Sequence, residues 1–511
     1  MKKSRTEYSV INIGVGLAGY FLNTLAGFIC RMVFVRCLPA AYLGINGLFT
    51  NILSMLSLAE LGIGSAIIFA LYKPLAEDDR DKVASLMKFY GSAYRVIGCV
   101  VAVVGLLLLP VLRGIIGDVP DIRENIYVIY LAFLFNTCLT YFFSYRGSLL
   151  TAAQRNYVQQ GISYLTTVLQ SIVQIVLLLV TKQYYLYLAT QMLFTFAYNL
   201  MVSYKAKRDY PYIVGKNIKP LEKEEKRSLI RNVKALTVHK LTDLLVNSTD
   251  NIIITYFSGL IAVGAASNYT LLSGTLSTLT NQMFNALTAS VGNLNATASE
   301  EQRFSFFETL QLANFWIFGW ATLGIWFVSG DLVGLFFGEK FVLHQSIPFV
   351  LALNFYLVTM QSSVTTYRST LGLFKYGQYT LIFTAILNLI FSIWLGSVWG
   401  LFGVYIATSF ARILTNTWYI PFAVFKFGLK KSPWLYFKRF FGFTLLIAGE
   451  AAICYMLFSM FHFSYLINAI LKAIVCSVLA NGCLWLFFRN TSEFQYLKGK
   501  CNSLLARLTR H

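Results

Sequence analysis

The sequence predicts an all-α polytopic membrane protein with about 14 transmembrane helices. Hydrophobic residues make up 57% of the 511 residues and charged residues only 13%, a composition too apolar for a soluble protein of this size. A helix needs about 20 apolar residues to cross the hydrocarbon core, and about fourteen stretches meet this requirement. An internal repeat further predicts two six-helix lobes related by a pseudo-twofold axis along the membrane normal, plus two C-terminal helices.

The predicted spans lie approximately at residues 9–35, 44–70, 88–112, 124–145, 158–180, 184–204, 236–257, 262–290, 306–329, 346–367, 378–398, 402–424, 440–460 and 464–488. They define an N-terminal lobe at 1–205 with helices one to six. A cytoplasmic linker at 206–235 leads to a C-terminal lobe at 236–425 with helices seven to twelve. Helices thirteen and fourteen occupy 426–488, and an amphipathic cytoplasmic tail occupies 489–511.

Basic residues predict that both termini are cytoplasmic. The first span follows the basic start MKKSR, and it is too long and too poor in cleavage signals for a signal peptide. With that end inside, about 32 of the 42 Lys and Arg residues fall in inner segments and about five in outer loops, as the positive-inside rule requires. The net charge of +20 therefore indicates topology and attraction to an anionic leaflet, not nucleic-acid binding.

Spans one and two each carry a stripe of polar and small residues at helical spacing. The first stripe comprises Gly16, Tyr20, Asn23, Gly27 and Arg31, and the second comprises Asn46, Thr50, Ser57, Glu60 and Gly64. At about 100° per residue, the first stripe lies within an arc of roughly 80°. A charge at bilayer depth is costly and persists mainly where it faces a wet cavity or a partner. The stripes therefore predict a water-accessible interior.

Two interpretations of Arg31 and Glu60 remain open. They are either a structural ion pair between adjacent helices or part of a binding site. In the second case Arg31 anchors an anionic group, because a guanidinium binds phosphate oxygens in a bidentate manner. Glu60 would then hold Arg31 in place or exchange protons.

Three later spans also carry polar stripes. The residues are Lys240, Asp243, Asn247 and Asp250 in span seven, Thr275, Thr278, Gln282 and Asn285 in span eight, and Asn354, Gln361, Thr365 and Arg368 in span ten. We interpret the charged stripe of span seven as a cavity wall, and Asn23, Gln282, Asn285 and Gln361 as further cavity residues. For the uncharged residues the alternative is interhelical hydrogen bonding.

A repeated motif indicates duplication. The run SYRGSL at 144–149 ends span four, and TYRSTL at 366–371 ends span ten, about 222 residues later. A tyrosine, Tyr157 or Tyr379, follows eleven positions after each motif arginine. Arg146 and Arg368 are predicted to form an inner gate or to bind headgroups; the alternative is that they snorkel to the interface.

The sequence contains none of the usual enzymatic motifs. It has no GxxxxGK[ST] phosphate loop, its four histidines show no metal-ligand spacing, and its outer loops are too short for a catalytic domain. We therefore predict that the protein is not an enzyme and holds no metal or cofactor. The driving force of transport is left open between a proton, sodium, potential or substrate gradient, with H⁺ or Na⁺ as the candidate coupling ion.

The early motifs resemble a known family. Arg31 is followed by YLGINGLF at 42–49, LAELGIGSA at 58–66 and LYKPL at 71–75. These runs, with the two six-helix halves and two extra helices, resemble Wzx-type flippases. These are polysaccharide biosynthesis transporters of the multidrug/oligosaccharidyl-lipid/polysaccharide exporter (MOP) superfamily.

The resemblance implies a carrier that moves undecaprenyl-pyrophosphate-linked oligosaccharide from the inner to the outer leaflet of the bacterial cell membrane by alternating access. It implies a cationic cavity containing Arg31 and, at helices thirteen and fourteen, a groove for the lipid tail. Lipid-linked oligosaccharide and membrane lipids are the implied partners, with glycan polymerase and glycosyltransferase machinery as further candidates. The acidic residues Asp243 and Asp250 depart from a cationic cavity, so a cation-coupled multidrug antiporter of the same superfamily is the alternative.

Overall fold

The computed structural model describes residues 5–57, 63–116, 122–153, 155–215, 218–373, 376–460 and 463–508. Most of these residues are helical, and no strand occurs in these ranges. The α-helices are α1 Arg5–Cys37, α2 Ala40–Leu56, α3 Ile63–Ala76, α4 Arg80–Leu107, α5 Leu109–Ile116, α6 Ile126–Phe143, α7 Gly147–Ala152, α8 Asn156–Thr181, α9 Tyr184–Asp209, α10 Lys223–Thr297, α11 Glu300–Phe337, α12 Ser346–Thr359, α13 Ser362–Thr370, α14 Gln378–Leu414, α15 Asn416–Ala423, α16 Pro433–Phe458, α17 Tyr465–Phe488 and α18 Ser492–Leu508. The predicted all-α class is confirmed.

Ten helical segments in the described ranges are long and apolar enough to cross a membrane. Eight of them coincide with single predicted spans. The other two, Thr249–Asn281 and Tyr379–Leu429, each extend over parts of two predicted spans. Predicted span two corresponds to the shorter apolar helices Ala40–Leu56 and Ala66–Leu75, and span six corresponds to α9. The polytopic membrane architecture is therefore confirmed.

Several helices begin at side-chain caps that bind otherwise unpaired backbone N–H groups. The Asp79 carboxylate accepts a hydrogen bond from the Lys82 N–H at 2.9 Å before α4, and Asn125 accepts one from the Tyr127 N–H at 2.9 Å before α6. Ser299 forms a reciprocal capping box before α11. Such caps typically stabilise a helix by about 1 kcal/mol. They fix where these three helices start.

Two glycines turn the chain inside the long helices α10 and α14. Gly259 has φ 79° and ψ 167°, and Gly400 has φ 56° and ψ −132°, conformations that are strained for residues with a Cβ. After Gly400 the chain returns so closely that a Cβ on Gly403 would lie 1.9 Å from the carbonyl oxygen of Leu395. In a straight helix these residues would be about 12 Å apart along the axis. Helix α14 is therefore a tight hairpin.

The chain divides into two compact units, unit 1 at Met1–Gly264 and unit 2 at Ala265–His511. The boundary falls inside α10, shortly after Gly259. The predicted lobes at 1–205 and 236–425 are a different division, derived from the repeat, and they stay a prediction, as does the linker at 206–235. Within 206–235, α10 already begins at Lys223.

Unit 1 is built on close helix contacts at glycines. Helix α1 packs along α8, and a Cβ on Gly19 would lie 1.9 Å from the Tyr164 ring. Helix α2 meets α10 backbone to backbone, since a Cβ on Gly44 would lie 2.0 Å from the Leu260 carbonyl oxygen. Small residues of this kind let helices approach closely in a membrane. The close packing of α1 on α8 fixes the position of the first predicted stripe.

Unit 2 has an aromatic core around α11, which packs against α12 and α17. The rings of Phe315 and Phe443 stack at 4.3 Å, and Phe307 meets Tyr367 edge to face at 5.0 Å. Such pairs contribute about 0.5–1.5 kcal/mol beyond the burial of their area. They connect α11 to α13 and α16.

Helix α18 lies in the predicted amphipathic tail, and its first turns bind unit 2. Phe494 and Leu497 pack against the apolar core, and Glu493 forms an ion pair with Arg439 of α16. Arg439 also pairs with Glu308 of α11 at 3.3 Å. The start of the tail is thus fixed to the protein, whereas its binding to a membrane surface stays a prediction.

Candidate functional site

A polar and aromatic cluster surrounds Arg31 near the end of α1. We call it the Arg31 cluster; its members are Cys30, Arg31, Phe34, Tyr42, Asn46, Glu124, Gln174, Tyr184 and Tyr187. Arg31 is half-buried, and the Tyr187 hydroxyl, on the first turn of α9, interacts electrostatically with its guanidinium. The Tyr187 ring lies 4.9 Å from the ring of Phe34. The span thus carries a cation close to Tyr187 and to the aromatic ring packed on it.

Gln174 of α8 connects α8 to both α1 and α9 within the cluster. Its side chain is 2% exposed, its carbonyl accepts the Cys30 thiol at 3.6 Å, and its amide donates to the Tyr187 carbonyl at 3.2 Å. Gln170, one turn earlier, donates to Gln174 at 3.4 Å. The sequence analysis missed Gln174, although two glutamines four residues apart in an apolar span are a detectable signal. Its hydrogen bonds fix the orientation of α1 beside Arg31.

A second set of hydrogen bonds extends the cluster to α2. The buried Tyr184 hydroxyl donates to Asn46 Oδ1 at 2.6 Å, and the ring of Tyr42 lies 4.5 Å from that of Tyr184. The Tyr42 hydroxyl donates to the carboxylate of Glu124. Asn46 belongs to the second predicted stripe, and its partner on α9 is a tyrosine. In this case a stripe residue connects two helices.

The chemical groups of the cluster suit a phosphorylated or glycosylated ligand. A guanidinium binds phosphate oxygens through several donors in a fixed plane. Aromatic faces provide apolar contact area with hydroxyl groups at one edge. Buried amides and phenols that are already hydrogen-bonded keep these groups in place.

Two other residues of the first stripe, Asn23 and Gly27, precede Arg31 on α1. Asn23 lies two turns earlier and is half-buried, and its Oδ1 atom has no hydrogen-bond partner among the described residues. Between them Gly27 faces open space, since a Cβ there would meet no heavy atom of the described chain within 4 Å. This face of α1 therefore borders open space at Gly27. That this space is part of a transport cavity stays a prediction.

For several of the predicted site residues, the structure does not describe the side chain. Glu60 falls in 58–62 and lies outside them. The side chains of Lys240, Asp243, Asn247, Gln282 and Asn285 also lie outside the description, although the backbone there is helical. Asp250 is half-buried in unit 1. Its neighbour Asn251 faces α2, because a Cβ on Gly47 would lie 3.9 Å from the Asn251 amide.

The two motif arginines have different surroundings. Arg146 donates to the Ser203 hydroxyl of α9 at 2.5 Å and lies 4.9 Å from the ring centre of Tyr145. Arg368 is half-buried near the start of α14, where a Cβ on Gly377 would lie 3.6 Å from its Nη2 atom. Arg146 is therefore bound within unit 1. Their predicted role as an inner gate or headgroup site stays a prediction.

Gln361 lies at a break in predicted span ten. Helix α12 ends at Thr359, and α13 starts at Ser362. The fully buried Asn314 of α11 donates to the carbonyls of Thr359 and Met360 at 3.1 and 2.8 Å. Carbonyls freed by a broken helix are costly in a membrane unless they are bound. Asn314, which the sequence analysis did not single out, thus makes the break possible, and Gln361 is 8% exposed beside it.

A buried ion pair joins α11 and α17 in unit 2. Lys472 Nζ lies 2.6 Å from Asp331 Oδ2, and both side chains are largely buried. We expect Asp331→Asn to lower the free energy of unfolding by about 3–5 kcal/mol, because it leaves the Lys472 charge buried without its counter-ion. Thermal unfolding of the detergent-purified protein measures this change.

The matched control for Asp331→Asn is Glu339→Gln, an exposed acid just beyond the same helix, which should leave the unfolding temperature unchanged. The double variant Asp331→Leu with Lys472→Leu should recover most of the loss, because it removes both charges. A loss as large in the double variant as in the single one would contradict the ion-pair explanation.

Comparison with known families gives a match over more than half of the chain. The family described as "Polysaccharide biosynthesis protein" matches residues 9–291, a range that contains the whole Arg31 cluster. An uncharacterized membrane protein of Methanocaldococcus jannaschii is 26% identical over 290 residues. That alignment covers 52% of this chain and 54% of the relative, so the chain spans about half the length of the curated relative it matches.

Solved structures of two kinds share the fold. The lipid II flippase MurJ, in an inward closed conformation, aligns with a TM-score of 0.64 at 14% identity, covering 94% of this chain and 99% of MurJ. An inward-facing multidrug resistance MATE family transporter of the MOP superfamily aligns at 0.57 and 15%, covering 77% and 91%. A point mutant of the Vibrio cholerae MATE transporter VcmN aligns at 0.54 and 14%, covering 83% and 99%.

At these identities, the similarity to solved structures shows the fold alone. The match to the family model shows that the chain is a member of that family. Both agree with the resemblance carried by the motifs between Arg31 and 75, which is confirmed. The chain is therefore a multi-pass helical membrane protein, and it belongs to the polysaccharide biosynthesis protein family.

Proposed function

We propose that this protein is a flippase for undecaprenyl-pyrophosphate-linked oligosaccharide. It would carry this lipid from the inner to the outer leaflet by alternating access, for the synthesis of a cell-surface polysaccharide. The observation that carries the proposal is the Arg31 cluster, in which a guanidinium in a membrane span lies near Tyr187 and its ring partner Phe34. The family match and the fold shared with a lipid II flippase support it.

The physical need for such a carrier follows from the substrate. Moving a sugar chain through hydrocarbon would leave many hydroxyl groups without partners, at a cost of roughly 2–7 kcal/mol each. A polar path for the headgroup replaces water, while the lipid tail stays in the bilayer. In this proposal Arg31 binds the pyrophosphate and the half-buried Tyr187 contacts the sugars, while the buried Tyr184 holds α9 beside α2. Asn23 and Asp250 of unit 1 would contribute further polar surface along the path.

The proposed orientation places both termini in the cytoplasm of a bacterial cell. It is supported by the excess of basic residues in the predicted inner segments. The predicted inner loops would attract an anionic lipid headgroup to the entrance. Glycosyltransferases and a glycan polymerase are the partners expected on either side of the transport step, and H⁺ or Na⁺ is the candidate coupling ion.

A cation-coupled multidrug antiporter is the second candidate. The fold likeness to two MATE transporters favours it, as do the acids Glu60, Asp243 and Asp250 in the predicted stripes. In that case the carboxylates, and not Arg31, would bind the transported compound. The two candidates differ in the sign of the charge that the protein recognises.

Disruption of the gene in its own host tests the proposal. We expect undecaprenyl-linked glycan to accumulate in the membrane and surface polysaccharide to disappear, because the lipid-linked units remain at the inner leaflet. Mass spectrometry of extracted lipids and staining of surface glycan measure both effects. Restoration of both by the wild-type gene is the control. Unchanged glycan together with increased retention of a cationic dye such as ethidium would favour the antiporter.

A further inference from the structure

An aromatic groove opens on the surface of unit 2 between α14, α15 and α16. Its lining residues are Thr380, Phe383, Leu387, Leu414, Thr415, Trp418, Tyr419, Phe422 and Phe437, and its volume is about 540 Å³. Phe383 and Leu414 are each 61% exposed and Trp418 39%. Thr380 and Leu387 are separated by about 10 Å along α14. A groove of this length and lining fits the first part of an extended hydrocarbon chain.

Basic side chains lie at one end of the groove. Lys426 is exposed, and its ammonium lies 5.2 Å from the ring centre of Phe422, a lining residue, and 5.8 Å from that of Phe427. Near the start of α14, a Cβ on Gly377 would lie 3.6 Å from Arg368 Nη2 and 3.3 Å from the hydroxyl of Thr380, another lining residue. Two cationic groups, those of Lys426 and Arg368, therefore lie at the same end of the groove. We call this end the mouth of the groove.

Aromatic contacts hold this mouth in shape. The ring of Trp418 lies 5.0 Å from that of Phe437, which connects α15 to the N-terminal part of α16. Phe427 stacks on Tyr376 at 4.3 Å, which places the π-helical turn Val424–Leu429 beside the start of α14. Tryptophan and tyrosine are the residues preferred at the membrane–water boundary. The mouth therefore has the composition of an interfacial site.

We propose that this groove binds an anionic phospholipid, with an acyl chain along Phe383 and Leu387 and the phosphate between Lys426 and Arg368. An apolar channel that ends at two cations matches a lipid of that charge, because basic pockets between spans bind acidic headgroups. A zwitterionic phospholipid would bring an extra cation to the mouth. The polar groups of the lining are the hydroxyls of Thr380, Thr415 and Tyr419 and the indole N–H of Trp418. The lining has no charged or amide side chain, so it suits an acyl chain better than a sugar. The site is separate from the Arg31 cluster, which lies in unit 1.

Fluorescence of Trp418 tests this proposal. The full chain is reconstituted in phosphatidylcholine vesicles that contain a minor fraction of either brominated phosphatidylglycerol or brominated phosphatidylcholine, whose acyl bromines quench tryptophan on contact. The Trp418→Phe variant identifies the share of quenching that belongs to this residue among the eight tryptophans. We expect phosphatidylglycerol to quench that share at a lower mole fraction than phosphatidylcholine.

Charge variants supply the decisive comparison. Lys426→Gln should raise the mole fraction of phosphatidylglycerol that gives half-maximal quenching about fivefold, because each basic group contributes a similar free energy of binding to an anionic headgroup. Adding Arg368→Gln should raise this mole fraction further. Lys430→Gln is the matched control, because Lys430 is exposed one turn away and is paired with Glu300 at 3.1 Å; it should have no effect. Lys426 is exposed, so its variant should fold normally.

Two results would overturn the proposal. The first is equal quenching by the two brominated lipids, or quenching by phosphatidylglycerol that the charge variants leave unchanged. The second is displacement of brominated phosphatidylglycerol by an unlabelled polyprenyl phosphate at a lower mole fraction than by unlabelled phosphatidylglycerol, which would assign the groove to the tail of a transported lipid.

Discussion

Arg31→Ala is expected to abolish transport while the protein accumulates in the membrane at its normal level. The guanidinium is the one predicted anion-binding group placed inside the Arg31 cluster, and alanine leaves Tyr187 and Tyr184 without a cation to bind a phosphate. Complementation of the disrupted host, scored by surface polysaccharide and by lipid-linked glycan in the membrane, measures transport. Immunoblotting of the membrane fraction measures protein level.

Arg36→Ala is the matched control for Arg31→Ala, because Arg36 is exposed five residues later on the same helix; it should complement fully. Arg31→Lys keeps the charge but loses the bidentate geometry, so we expect roughly a tenfold loss of transport. Full transport by Arg31→Ala would mean that Arg31 has a structural role and would remove the main support for the flippase proposal.

Gly403→Ala is expected to lower the free energy of unfolding of unit 2 by more than about 4 kcal/mol. Single substitutions have an effect of this size only when they disrupt packing severely. The added Cβ would lie 1.9 Å from the Leu395 carbonyl oxygen and 2.4 Å from its carbon, both of which belong to the backbone and cannot rotate away. The α14 hairpin must open to accept it. Size-exclusion chromatography of the heated, detergent-solubilised protein measures the fraction that remains folded.

Gly442→Ala on α16 is the control for this second prediction, since no heavy atom of the described chain lies within 4 Å of the new Cβ. It should be neutral or stabilise its helix by up to about 1 kcal/mol. An unfolding temperature of Gly403→Ala within about a degree of the wild type would show that the hairpin is wider than the geometry at Leu395 indicates.

The span pattern could be predicted because it depends on local composition. Long apolar runs between basic loops define most spans, and the turns at Gly259 and Gly400 fall in the short outer loops expected between spans seven and eight and between eleven and twelve. The polar stripe of span one also follows from spacing alone. These features need no knowledge of which helices are neighbours.

The partners of the polar residues could not be predicted, because they depend on tertiary contacts. Gln174, Tyr184 and Tyr187 become neighbours of Arg31 only when α8 and α9 pack against α1. The break at Gln361 likewise depends on Asn314 from another helix, and nothing in the apolar sequence of 346–359 indicates it. Asn354 shows the same dependence: it was assigned to a polar stripe, and it donates to the Tyr405 carbonyl of α14 at 2.8 Å.

The unequal surroundings of Arg146 and Arg368 bear on the predicted duplication of the chain. Arg146 is bound by Ser203 of its own unit at 2.5 Å, so we expect its replacement to disturb packing within unit 1. Arg368 lies close to Gly377 and Thr380, where we propose that it meets a lipid headgroup. Under the duplication hypothesis, the same motif arginine therefore serves cohesion of the fold in one half and contact with the bilayer in the other.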